Sequence, residues 1–301
     1  MRLITRSDFD GLACGALLEA AGVINEWLFV HPKDIQDGLI EATKNDVVAN
    51  VPYINGCGLW FDHHSSEVER LGTMLKFEGV SKKAPSCARV IYDYYGGDAK
   101  LSRFSEMVKA ADKMDSANLT IDEIQNPKDW VMLGFIADPR TGLGRFRNFT
   151  ISNLDLMKML ASMTLSKPIG EILRLPDVKE RIEVYNEQKE LYLKMIKETA
   201  RVEGKAVVVD LRKVDTIHAG NRFLLYTLFP EANISVVIVN GKKDVNCVIT
   251  AGYSILNKTA TVDVGSLMLK YGGGGHKVVG TCQVAWDDTD RIAQEIINKV
   301  K

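Results

Sequence analysis

The sequence predicts an α/β fold. It has a mostly parallel N-terminal sheet with flanking helices, a long connecting helix and a smaller C-terminal α/β domain. Three observations predict this. Short apolar runs alternate with helix-length stretches over the first 115 residues, the pattern of a largely parallel sheet. A charged stretch free of Gly and Pro runs from Asp177 to Glu203. A second strand–helix alternation begins after Gly204. The expected boundaries are 1–176, 177–204 and 205–301.

The elements follow in order. "RLITRS" reads as the first strand. The small and apolar residues from Gly11 to Gly22 read as a helix, and "VINEWLFV" as a second strand. "DIQDGLIEATK" has an amphipathic helical pattern, and "DVVANV" and "GLWF" are strands. "PSCARVIYDYYGG" opens on Pro85 and closes on Gly96 and Gly97, the asymmetry of a helix. "LSRFSEMVKAADKM" is another helix. Residues 116–175 are less periodic. The 177–204 stretch carries Val178, Ile182, Tyr185, Leu191 and Met195 at helical spacing. Beyond it, "KAVVVDLR", "ISVVIVNG", "VNCVITAGYS" and "KVVGTCQVAW" are strands. "NRFLLYTLFP", "VDVGSLMLKY" and "DTDRIAQEIINKVK" are helices.

Composition narrows the function classes. The 301 residues suffice for about two domains. A net charge of −1 excludes a global basic field for nucleic acid. The five cysteines are scattered and never in CxxC spacing, as expected of buried thiols in a reducing compartment. The opening "MRLITRSDFDG" has no secretory signature. No apolar run nears the ~18 residues of a membrane span. A cytoplasmic protein with no membrane partner is expected.

Three acidic or histidine clusters stand out. "SDFDG" places Asp8 and Asp10 at a strand end before a Gly-initiated helix, where α/β sheets bind ligands. The two acids can converge on a cation there, or Asp10 can simply cap its helix. "LWFDHH" ends a buried-looking strand with Asp62, His63 and His64, two of the five histidines in the chain. Imidazole is the commonest metal ligand, and a neighbouring carboxylate can orient it. "AADKMD" puts Asp112 and Asp115 near a helix C-terminus, where acids are disfavoured unless otherwise used.

Further phosphate-binding candidates lie elsewhere. "GGGGH" at Gly272–His276 allows close backbone approach to phosphate oxygens, with His276 as an added donor. A flexible turn is the plainer alternative. "DPRTGLGRFRNF" gathers Arg140, Arg145 and Arg147 with Phe146 and Phe149, suited to phosphate and base or to a solvated loop. Arg222 follows Asn221 at a helix start, facing a cleft or serving a cap. His31, before Pro32, reads as a helix-entry turn.

"SDFDG", the "DHH" triplet, a later Asp and "YGGGGHKVVGTCQV", in this order, resemble the DHH phosphoesterase superfamily with its C-terminal DHH-associated domain. Its members include pyrophosphatases, exopolyphosphatases, RecJ-type exonucleases and oligonucleotide or cyclic-dinucleotide phosphodiesterases. The match covers roughly 1–115 and 205–301, and looks nearest an exopolyphosphatase-like branch. The resemblance implies metal ligands Asp8, Asp10, His63 and Asp112, with Asp115 as substitute. It implies His64 near the substrate, oriented by Asp62. It implies substrate contacts at Gly273, Gly274, Gly275 and His276, to which residue type and position add Arg6, Asn50, Asp115, Arg140, Arg145 and Arg222 as candidate substrate contacts.

Two positions depart from the family pattern. Arg6 stands where the family has His, and Asn50 where it has a bridging Asp. Arg6 can hold a substrate phosphate. The implied cofactor is therefore manganese or magnesium, one or two ions. Divalent ions neutralise the charge of a phosphoester and lower the pKa of a bound water. The implied function is hydrolysis of polyphosphate or a short oligonucleotide in an interdomain cleft, by a possible homodimer. The implied partner is a phosphate-containing small molecule or short single-stranded nucleic acid. The alternative is a catalytically weakened regulatory protein that binds phosphate or nucleic acid on the same fold.

Overall fold

Strand β1 (Arg2–Arg6) buries Leu3, Ile4 and Thr5 without alternation, as a central strand covered on both faces does. The structure, a computed structural model, describes residues 1–64, 76–242 and 245–301. The chain divides into two units. The first holds Met1–Leu119 with Asn126–Tyr185, and the second Thr120–Gln125 with Asn186–Lys301.

In the first unit, β1 pairs with β2 (Glu26–Val30) and β3 (Asp46–Ala49), then β4 (Leu59–Asp62) and β5 (Gly79–Ser81) follow. The order is β2-β1-β3-β4-β5, with every pairing parallel. The strand order therefore reverses between β1 and β3. Ligands of such sheets bind outside the carboxyl ends of the strands at that point.

The helix Phe9–Ala20 is buried from Phe9 to Leu18 and packs on β1 and on the helices Cys87–Tyr94 and Asn153–Ser166. Its start lies so close to β1 that a Cβ on Gly11 would fall 2.1 Å from the Arg6 carbonyl oxygen. Only glycine allows that approach, and it brings Asp8 and Asp10 to the sheet edge.

Two expectations change. The helix expected over "DIQDGLIEATK" is confined to Pro32–Gln36, capped by His31 Nδ1 on the Lys33 N–H. Gly38 at φ +73° turns the chain out of it. Within the aperiodic stretch, Asp129–Ala137 is a helix buried from Val131 to Ala137. A segment apolar all round carries no amphipathic signal.

The long helix spans Pro176–Thr199, and Ala200–Glu203 is already strand β6. The second unit's sheet continues with β7 (Ala206–Asp210), β8 (Ile234–Asn240), β9 (Asn246–Tyr253), β10 (Gly274–His276) and β11 (Val279–Ala285). Its order is β10-β11-β9-β8-β7-β6. Only β7–β8 is parallel. The helix Thr289–Val300 covers one face through Ile292, Ala293, Ile296, Ile297 and Val300, an apolar stripe at helical spacing. Among the described residues, no helix is long and apolar enough to cross a membrane.

Candidate metal centre

The carboxyl ends of β1, β3 and β4 gather the acidic and histidine residues. Asp8, in extended conformation, caps the helix Phe9–Ala20 by accepting the Gly11 N–H at 2.9 Å. It also accepts from Asn50 Nδ2 at 3.2 Å and pairs with Arg6 Nε at 3.0 Å. Asp10 does not cap its own helix. It reaches across to the start of Cys87–Tyr94, accepting the Cys87 and Ala88 N–H groups, each at 2.9 Å. A helix N-terminus favours an anion there. Burial nonetheless raises the Asp10 carboxyl well above its usual pKa, with the charges of Asp115 and Asp8 adding to it. Burial raises Asp8 too, against the pull of Arg6.

The triplet at the end of β4 splits its histidines. His63 Nδ1 lies 3.2 Å from the Ala84 carbonyl oxygen. A carbonyl only accepts, so Nδ1 carries the proton and, in the neutral ring, Nε2 is a bare lone pair. That Nε2 is buried and, among the described residues, has no hydrogen-bond partner. It lies 3.1 Å from Asp115 Oδ2 and 3.9 Å from Asp10 Oδ2. His64 instead turns Nδ1 to Asp62 Oδ1 at 2.8 Å, and Asp62 is fully buried. Burial works against the charged His64 ring, but Asp62, with Asp115 and Asp10 beyond, outweighs it and raises its pKa.

Asp112 and Asp115 are one helical turn apart on Ser105–Asp115 and have different partners. Arg89 grips Asp112 Oδ2 through Nε at 3.0 Å and Nη2 at 2.6 Å, and Ser86 donates to Oδ1 at 2.8 Å. The structure thus brings Asp115 to His63 and ties Asp112 to Arg89. A cavity of about 20 Å³, room for one water or ion, is lined by Asp8, Asp10, Asp115, Asp138 and Arg140 among others.

No family model and no curated protein matches this chain. Among solved structures, the pGpG-specific phosphodiesterase PggH from Vibrio cholerae is 43% identical, over 99% of this chain and 97% of that one, with a TM-score of 0.84. The chain belongs to the DHH phosphoesterase superfamily. RecJ from Thermus thermophilus, solved with Mn2+, is 13% identical over 100% of this chain and 52% of its own. With a TM-score of 0.54, it shows a shared fold.

The residues fit the divalent ion that membership of the DHH superfamily implies. Two carboxylate oxygens and an unpartnered imidazole nitrogen lie within 4.8 Å of one another. Three acceptors turned on one point, one of them orphaned, are satisfied by a cation. The second geometric group, Asp62, His63 and His64, has its Asp62–His64 pair joined by a hydrogen bond.

The remaining candidates from the sequence fall as follows. Arg140 is tied to Asp138 at 2.8 Å on the cavity rim. Asp138 was missed in the sequence, although "DPR" is a capping signal: it accepts the Arg140 N–H at 2.8 Å. Arg145 folds over Gly142, where a Cβ would sit 2.1 Å from Nη1. Phe149 stacks under Arg181 at 4.2 Å. In the second unit, Arg222 lies over the Phe223 ring at 4.2 Å. Asn221 is a buried cap, accepting from Phe223 N–H and donating to the Ile124 carbonyl. The glycine run is partly explained by packing. A Cβ on Gly273 or Gly275 would strike the Thr281 or Val279 carbonyl oxygen at 2.2 or 2.3 Å. At Gly274 a Cβ would meet nothing within 4 Å, and His276 is exposed.

Proposed function

We propose that this chain is a metal-dependent phosphodiesterase acting on a short linear dinucleotide or oligonucleotide, with pGpG as the first substrate to try. The observation that carries the reading is the buried His63 Nε2, unpartnered among the described residues and set between the Asp10 and Asp115 carboxylates. The substrate class is supported by the 43% identity to a pGpG-specific phosphodiesterase.

Asp10, Asp115 and His63 Nε2 would hold the ion. When bound, a divalent cation supplies positive charge to the phosphoryl oxygens and acidifies a water. Asp10 is fixed by the helix N–H groups of Cys87 and Ala88, and His63 by the Ala84 carbonyl. Such partners hold ligands in one orientation.

His64 is the proposed general acid. Its Nδ1 is held by Asp62, and its Nε2 would carry a proton toward substrate. A water oxygen attacks phosphorus as the bond to the 3′ oxygen breaks. The leaving oxygen takes the Nε2 proton, and the imidazole recovers one from the consumed water. Arg6 and Arg140 are proposed to grip non-bridging oxygens. Gly274 and His276 are proposed as a phosphate contact on the second unit.

The experiment is nucleotide release from pGpG, followed by chromatography with Mn2+ and with chelator, alongside cyclic dinucleotide and polyphosphate. Mononucleotide should appear only with metal and be lost in His63→Ala. Metal-independent release, or release unchanged in His63→Ala, refutes the reading.

A further inference from the structure

We infer that the centre holds one divalent ion per chain, and that Arg6 supplies at Asp8 the positive charge a second ion would bring. This rests on the phosphodiesterase reading above and specifies its metal centre.

Asp8 and Asp10 differ in what surrounds them. Asp8 Oδ1 accepts from Gly11 N–H and Asn50 Nδ2, and Oδ2 pairs with Arg6 Nε. Three donors from the protein itself converge on one carboxylate, and one of them is a permanent cation. The charge that would draw a metal ion is already balanced. Among the described residues, Asp10 receives only neutral backbone N–H groups and a distant thiol, and faces a bare imidazole nitrogen and a second carboxylate.

Residue type makes the same distinction. Asn50 sits at φ +57° at the end of β3, a conformation that Asn and Asp tolerate better than most residues. The amide can donate to Asp8, and it does so at 3.2 Å. An Asp in its place would set two carboxylates against each other, a contact that needs a cation between them. Arg6 on the other side would repel that cation. The two substitutions act together, since each supplies a donor where a second ion would need an acceptor. Among the described residues, the other histidine–acid group has Asp62 and His64 bound to each other.

Arg6 is not consumed by Asp8. Its side chain is 36% exposed, and the contact uses Nε. The outer guanidinium nitrogens remain to take a phosphoryl oxygen. The reaction centre then presents one exchangeable cation and one fixed one.

The test counts metal on full-length protein equilibrated with excess Mn2+, by elemental analysis and by electron paramagnetic resonance. One Mn2+ per chain is expected, with the hyperfine sextet of an isolated ion. Asp8→Asn, checked for folding by circular dichroism, should retain that ion. Asp115→Asn should weaken binding by about 100-fold or more, beyond what loss of an outer-shell partner gives. Arg6→His combined with Asn50→Asp should take up a second ion. Two ions per chain in the unmodified protein, or an exchange-coupled Mn2+ signal, overturn the inference and leave the phosphodiesterase reading standing. So does a folded double variant that still binds one. No bound Mn2+ at all refutes both.

Discussion

Replacing Asp115 by Asn should make the metal-free protein more stable and the metal-loaded protein relatively less so. Asp10 and Asp115 oxygens lie within 4.8 Å of each other. At that separation and an effective dielectric of ~20, two unit charges repel by about 3.5 kcal/mol. Asp115 is 24% exposed, so solvent screening reduces the recoverable part to about 1–2 kcal/mol. For domains of this size that is about 2–8 °C in Tm. Mn2+ at 100 times its Kd would stabilise the unmodified protein by about 2.7 kcal/mol, which the variant forgoes. The assay is thermal unfolding of both proteins at pH 8, in chelator and in Mn2+. The two stability orders should invert between conditions. A variant that melts lower in chelator, or gains as much from Mn2+ as the parent, contradicts the assignment of these carboxylates to a cation.

The partner acid provides the contrast. Asp112→Asn breaks the Arg89 and Ser86 contacts and should cost about 1 kcal/mol in denaturant unfolding while leaving Mn2+ affinity unchanged. His64→Ala should lower kcat by about 10²–10⁴-fold with Mn2+ binding retained, and Asp62→Asn, which removes the charge that raises the His64 pKa, should move the alkaline limb of the pH–rate profile to lower pH. Gly274→Ala has room within its own unit, so it should fold normally and raise KM for a dinucleotide by about 10-fold, or 1.4 kcal/mol, with kcat little changed. For Asp46, burial opposes the charge, but bonds from Arg2 and Thr43 outweigh it and lower the carboxyl pKa. A folded pKa below the unfolded ~3.9 stabilises above that pH, and the benefit is lost as pH falls through the folded value. The Asp46→Asn deficit in denaturant unfolding should be steady from pH 5 to 8 and shrink below about pH 4.

Most strands of both sheets were legible because alternation and apolar runs record burial directly, but β5 and β10 are only three residues long and β6 lies in the stretch expected to be helical. The "DHH" triplet at the end of β4 was legible for the same reason: polar residues that stop a buried strand stand out. What the sequence hid was non-local. Nothing near "SDFDG" says that Asp8 rather than Asp10 caps the adjoining helix, or that Asp10 reaches Cys87 and Ala88, which are 77 and 78 residues away. Asp112 and Asp115 share one helix end. Which of them meets His63 depends on Arg89 from another helix. The Ala84 carbonyl that sets the His63 tautomer has no side-chain signature at all. Local pattern predicted too long a helix after His31, because Gly38 weighed less than the apolar spacing around it. It found no period in "WVMLGFIA" because that helix is buried on every side.

The most direct test of the account is an anomalous difference map from crystals equilibrated with Mn2+, measured near the manganese absorption edge. A peak within bonding distance of His63 Nε2, Asp10 and Asp115 is the predicted result. A peak bonded to Asp112 or His64 instead, or His63 Nε2 engaged by a protein donor with no metal beside it, would contradict it.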